Sequence, residues 1–140
     1  MPDTGKNLLL VEDDEIQREG LSALLQREGY SVVPAANGKE AILRLQGQPA
    51  PDLMLLDMMM SDGDGWQLLW MLRRNAALAS IPVIIMTGLE IASQEWGQSL
   101  GAVALVRKPV DVPLLLKELT RVLGAGTGLV RLPVEDPSQT

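Results

Sequence analysis

Neither cysteine nor histidine occurs anywhere in the 140 residues. Their absence removes disulfides, thiol nucleophiles, zinc sites and every imidazole-based acid–base scheme, so any chemistry rests on carboxylates, hydroxyls and lysine. Phenylalanine is missing too, and three tryptophans and one tyrosine are the whole aromatic content. Basic residues are scarce: twelve Lys and Arg face eighteen Asp and Glu, for a net charge of −6. With no basic run to track a phosphate backbone, direct nucleic-acid binding is disfavoured. No apolar stretch approaches the roughly 20 residues that span a bilayer, and Met1–Asn7 lacks a charged-then-apolar signal pattern. The expectation is a cytosolic protein with no membrane segment.

What the chain does have is apolar surface, 46% of its residues, enough for one domain with a core and too little for two. Five short apolar runs punctuate it: Leu8–Val11, Ser31–Ala35, Leu53–Leu56, Val83–Met86 and Val103–Val106. Runs apolar at consecutive positions suit strands buried on both faces, as in a parallel sheet covered by helices. The segments between them read as those helices. Glu15–Glu28 carries Leu21, Leu24 and Leu25 on one face, between Asp14 as N-cap and Gly29 as C′ residue. Asn37 and Glu40 have capping-box spacing ahead of Ala41, Ile42 and Leu45, with an end near Gly47. Further helices are expected over about Trp66–Arg74, Ile91–Leu100 and Val112–Leu123.

Five alternations of strand and helix imply a doubly wound α/β fold, a five-stranded parallel sheet with five helices. Its functional crevice lies beyond the carboxyl ends of the strands. Residues 6–123 form this unit. The glycine-rich stretch from Gly124 and the proline-broken segment to Thr140 read as a tail or linker.

The strand ends would deliver Glu12, Asp13, Asp57, Thr87 and Lys108 to one edge. Taken singly, an Asp at a strand end is usually a cap or turn residue, Thr87 is structural and Lys108 is a solvated charge. Their joint placement overturns that reading. Two carboxylates about 5 Å apart repel by roughly 3 kcal/mol at an effective dielectric near 20, and a bound cation resolves the conflict. Hard oxygen ligands point to Mg²⁺, which shares its shell readily with a phosphate oxygen. One carboxylate nucleophile, a metal, an ammonium and a hydroxyl make a phosphoryl-transfer site.

The stretches LLLVEDDE, LMLLDMMMSDGDG, VIIMTG and VRKP resemble, in order and spacing, the signatures of response-regulator receiver domains, the flavodoxin-like (βα)5 fold typified by CheY. The resemblance covers roughly residues 6–123. It implies that Asp57 is the phosphoacceptor, that Asp13, the Asp57 side chain and the Met59 carbonyl ligate Mg²⁺, and that Glu12 assists through water. Thr87 would be the hydroxyl that moves toward the phosphoryl oxygens and Lys108 their ion-pair partner. The donor would be a phosphohistidine on a sensor kinase or phosphotransfer protein. Output, as a homodimer or to an effector, would use the fourth helix, fifth strand and fifth helix. The domain would catalyse only its own phosphorylation and dephosphorylation.

Several positions depart from the family pattern. Leu105 stands where an aromatic switch residue is usual, which puts the Thr–aromatic coupling in doubt. Ser61 replaces a common proline and Val110 a common aromatic, changes expected to alter loop stiffness more than chemistry. Met59 and Leu89 flank the water path to an aspartyl phosphate and are expected to slow its hydrolysis. Trp66 and Trp70, four apart on one helix, are expected to cover the sheet, while Trp96 lies on a helix of the output face. A phosphatase of the haloacid-dehalogenase type would need a second acid where Met59 stands. A receiver reduced to an interaction module is countered by the presence of all five site residues.

Overall fold

A computed structural model of the chain describes residues 3–47, 49–61, 63–90 and 92–124. Five strands, β1 (Asn7–Val11), β2 (Ser31–Ala35), β3 (Leu53–Asp57), β4 (Val83–Thr87) and β5 (Ala104–Arg107), alternate with five helices. The helices are α1 (Glu15–Arg27), α2 (Gly38–Gln46), α3 (Asp64–Arg74), α4 (Gln94–Ser99) and α5 (Val112–Leu123). The strands pair in parallel in the order β2-β1-β3-β4-β5, the doubly wound arrangement expected from the sequence.

Period-two geometry divides each apolar run between two cores. Leu8, Leu10, Leu53, Leu55, Ile84 and Met86 pack with Leu25, Leu115 and Leu119 of α1 and α5. Leu9, Val11, Met54, Leu56, Val83 and Ile85 pack with Ala41 and Leu45 of α2 and Leu68, Leu69 and Leu72 of α3. Burial on both faces holds for β1, β3 and β4 but fails at β2, where only Ala35 is buried. β2 is an edge strand, which is why Pro34 is tolerated within it.

The caps set the helix boundaries. The Asp14 carboxylate accepts the Gln17 N–H at 2.9 Å and the Asn37 side chain accepts the Glu40 N–H at 2.8 Å. Glu40 reaches back to the Ala36 N–H rather than that of Asn37, a capping box displaced by one residue. Gly29, at φ 98°, follows α1 as expected. The fourth helix is shorter than the Ile91–Leu100 expectation: the Ser93 hydroxyl accepts the Trp96 N–H and opens α4 at Gln94, while Ile91 lies outside the described residues. The tail reading, apart from Gly124, also falls outside them.

Trp66 and Trp70 do not cover the sheet, contrary to the sequence reading. They are 43% and 65% exposed, because the inner face of α3 is filled by Gly65, Leu68, Leu69 and Leu72. The Trp66 ring instead meets Trp96 edge-on, centroids 5.6 Å apart, and Arg74 lies 4.4 Å above the Trp70 ring. No helix among the described residues is long and apolar enough to cross a membrane.

Candidate functional site

Strand order reverses between β1 and β3, since the chain runs from β1 outward to β2 and then returns to β3 on the other side. Loops leaving two such neighbours diverge to opposite faces and leave a crevice at their carboxyl ends. Glu12 and Asp13 follow directly on β1, and Asp57 closes β3. Each of these three acids offers an oxygen within 4.8 Å of the others.

Glu12, Asp57 and Thr87 are the buried polar side chains among the described residues, and all three stand at this end of the sheet. Buried charge persists only when paired or hydrogen-bonded. Lys108, one residue past β5, meets that need: its Nζ lies 2.6 Å from Glu12 Oε1 and 3.1 Å from Asp57 Oδ2. Asp57 Oδ1 accepts the Met59 N–H at 3.0 Å, and Glu12 Oε2 accepts the Asp14 N–H at 3.2 Å. Thr87 Oγ1 accepts the Leu89 N–H at 3.1 Å. The Lys108–Pro109 peptide is cis.

Electrostatics sort the acids by environment. Burial pushes the Glu12 carboxyl above the usual range, against the Lys108 hydrogen bond that lowers it. Asp13 is exposed and held below its ordinary value, chiefly by the Ser61 N–H 3.0 Å from Oδ2. For Lys108, burial acts to lower the ammonium pKa, but the Glu12 hydrogen bond and the Asp57 charge outweigh it and the net shift is upward. Three carboxylates against one ammonium leave a formal charge of −2 in an all-oxygen donor set. That set suits a hard divalent cation and no soft one.

All five side chains expected at the strand ends therefore reach one edge, where the Lys108 ammonium lies against Asp57 as well as Glu12. Its shorter contact to Glu12 was not foreseen, because strand spacing says nothing of which of two adjacent acids turns inward. Ser61 needs a correction. Its backbone N–H donates to Asp13, a bond no proline could make, so the substitution reaches the site chemistry and not loop stiffness alone. Gly65, one residue before the expected start of the third helix at Trp66, was missed. A Cβ there would sit 2.8 Å from the Asp57 carbonyl oxygen and 2.9 Å from Met58 Cα; the first turn of α3 touches the backbone that carries Asp57. Arg18 was also missed: its Nη1 donates to the Glu12 carbonyl at 2.9 Å and fixes the β1–α1 turn. Its only sequence signal was a basic residue near the start of the helix that follows the acidic pair, six positions past Glu12. Met59 is 49% exposed beside Asp57, while Leu89 is partly buried against the core. Leu105 is buried and its backbone is held at both N and O by the Gln94 carboxamide, at 3.2 and 2.9 Å.

The sequence matches the family described as response regulator receiver domain over residues 8–120. It is 35% identical over 117 residues to PilH of Pseudomonas aeruginosa, covering 83% of this chain and 96% of PilH. Response regulator RR06 of Streptococcus pneumoniae is 34% identical over 118 residues, 84% of this chain but only 52% of that longer protein. Among solved structures, the Vibrio cholerae chemotaxis protein CheY4 superposes with a TM-score of 0.73 at 30% identity, over 84% of this chain and 98% of CheY4. The matched region runs from β1 into α5 and takes in the whole acidic crevice, so the chain belongs to the response regulator receiver domains, the phosphoacceptor switches of phosphorelay signal transduction.

Proposed function

We propose that Asp57 is the residue of this domain that accepts the phosphoryl group, in a Mg²⁺-dependent transfer from a phosphohistidine of a sensor kinase or phosphotransfer protein. The observation that carries the proposal is the convergence of Glu12, Asp13 and Asp57 within 4.8 Å, with Lys108 3.1 Å from the Asp57 carboxylate. An oxygen of Asp57 attacks phosphorus as the phosphorus–nitrogen bond to imidazole breaks, and the imidazole leaves with the bonding pair. Asp13, Asp57 and the Met59 carbonyl would hold Mg²⁺, with Glu12 assisting through water, and the bound ion would supply neutralisation of the phosphoryl charge. Asp13 is kept ionised by the Ser61 N–H. Lys108 is positioned by Glu12 as much as by Asp57, so its ammonium stays in the crevice as charge is redistributed onto the phosphoryl oxygens.

Thr87 offers a hydroxyl on the strand next to Asp57, with its oxygen already accepting the Leu89 N–H. In this reading it turns toward the phosphoryl group once that group is present, and Leu105, packed against Gly97 of α4, follows by aliphatic repacking. The α4, β5 and α5 surface then presents the output, to a second copy or an effector. Residues 6–123 form the switch unit, the domain catalyses only its own phosphorylation and dephosphorylation, and its place is the cytoplasm.

The test is incubation with Mg²⁺ and acetyl phosphate or phosphoramidate, followed by intact mass. The native chain gains the mass of one phosphoryl group and Asp57→Asn gains none. Equal labelling of both would move the acceptor elsewhere. Lys108→Ala is expected to slow labelling by about tenfold or more, through loss of charge-assisted contacts.

A further inference from the structure

An open apolar groove of about 1080 Å³ runs along the outer side of α2 and α3, away from the acidic crevice. Ile42, Leu43, Trp66, Trp70, Met71 and Leu100 line it. Leu43, Trp66 and Trp70 are 62%, 43% and 65% exposed. Large apolar side chains gathered at this exposure mark a surface that something covers.

The chain carries a candidate for that cover. Beyond the described residues lies Leu129-Val130-Arg131-Leu132-Pro133-Val134, four large aliphatics in six positions, followed by the acidic pair Glu135-Asp136.

Its point of departure is close to the groove. In the last turn of α5, Arg121 Nη2 donates to the Val103 carbonyl at 2.9 Å. Two residues before Val103, the Gly101 carbonyl accepts from Arg73 at 2.5 Å, and Arg73 and Leu100 line the groove. The five residues Gly124–Gly128 span up to about 17 Å when extended, enough to round that edge of the sheet. The eleven residues of α3 are about 16 Å long, matched by six extended residues at about 20 Å. Lys39 lines the groove and Arg74 lies above the Trp70 ring, charges opposite in sign to those of Glu135 and Asp136.

We propose that residues 129–134 of this same chain dock into the α2–α3 groove and cover its tryptophans. The absence of cysteine makes the test direct, because two introduced thiols have no native competitor. The full chain carrying Gln67→Cys in the groove and Arg131→Cys in the tail is compared with one carrying Gln26→Cys and Arg131→Cys. Gln26 is exposed in the last turn of α1, on the opposite face of the sheet from the groove. Docking predicts that the intramolecular disulfide to position 67 forms about tenfold faster or more than that to position 26. It also predicts that Leu129→Asp with Leu132→Asp removes the difference and shifts the Trp66 and Trp70 indole N–H signals, two of the three in the spectrum. Equal closure rates at the two positions, or a predominant disulfide-linked dimer through position 67, would overturn the proposal, the latter in favour of a second copy as occupant.

Discussion

At Ser61 a single backbone N–H separates two outcomes that a side-chain comparison would miss. Ser61→Pro removes the donor 3.0 Å from Asp13 and is expected to weaken Mg²⁺ binding about fivefold, the equivalent of roughly 1 kcal/mol for one hydrogen bond to an exposed carboxylate. Ser61→Ala keeps the N–H and most of the affinity; calorimetric titration of both variants decides, and identical affinities would remove Ser61 from the site. Tyr30 gives a pH prediction. Burial raises its phenol pKa, the Thr120 hydrogen bond opposing, so the folded state holds the phenolic proton more tightly than the unfolded chain does. The stabilisation is fully present below the unfolded value near 10 and is lost as pH rises through the higher folded one. Because Tyr30 is the only tyrosine, its ultraviolet titration reads this directly, and Tyr30→Phe is expected to flatten the alkaline loss of stability. At Met59 and Leu89, exchange for Asn and Glu respectively is expected to shorten the lifetime of the phosphorylated form, as measured by loss of the phosphoryl mass with time. An unchanged lifetime would mean that these side chains only cap the core.

Two glycines in helices show how position within an element decides the sign of one substitution. Gly65→Ala would drive a Cβ into the backbone of Asp57 and Met58, costing about 1–3 kcal/mol and displacing the β3–α3 junction that holds Asp57. A lower urea midpoint together with slower phosphorylation is the expected result. Gly20→Ala, in α1 with open space around the added carbon, is expected to gain about 0.5–1 kcal/mol. The sequence marks both positions only as glycine; the difference is a contact with the end of a strand eight positions back in the chain. α4 shows the same limit. Its sequence pattern extends to Ile91, but the Leu89 and Ala92 carbonyls accept from the Arg107 guanidinium and Ser93 caps the helix, so the loop before α4 is held by a residue from β5. The edge of β5 is closed in turn by the Gln94 carboxamide, which pairs with Leu105 as a neighbouring strand would.

For the whole molecule, an acidic crevice with a formal charge of −2 should make stability depend on divalent cation. Mg²⁺ at ten times its dissociation constant is expected to add about 1.4 kcal/mol, seen as a rise in melting temperature that Asp13→Asn diminishes. The fold was legible because strand burial and helix capping act over a few residues: five apolar runs, Asp14, Asn37 and Gly29 are signals carried by neighbours in the chain. The candidate site was legible for a related reason, since a parallel sheet brings every strand's carboxyl end to one edge and so gathers Glu12, Asp13, Asp57, Thr87 and Lys108 whatever the loops do. What the sequence by itself determined is thus the alternation of elements and the chemical types that meet at the crevice. Which acid Lys108 grips more closely, the engagement of Asp13 by Ser61, the contact of Gly65 with β3 and the exposure of Trp66 and Trp70 were decided only in the tertiary structure. Each depends on distances between segments far apart in the chain or on which side of a helix faces its neighbours, quantities fixed by packing and not by local preference.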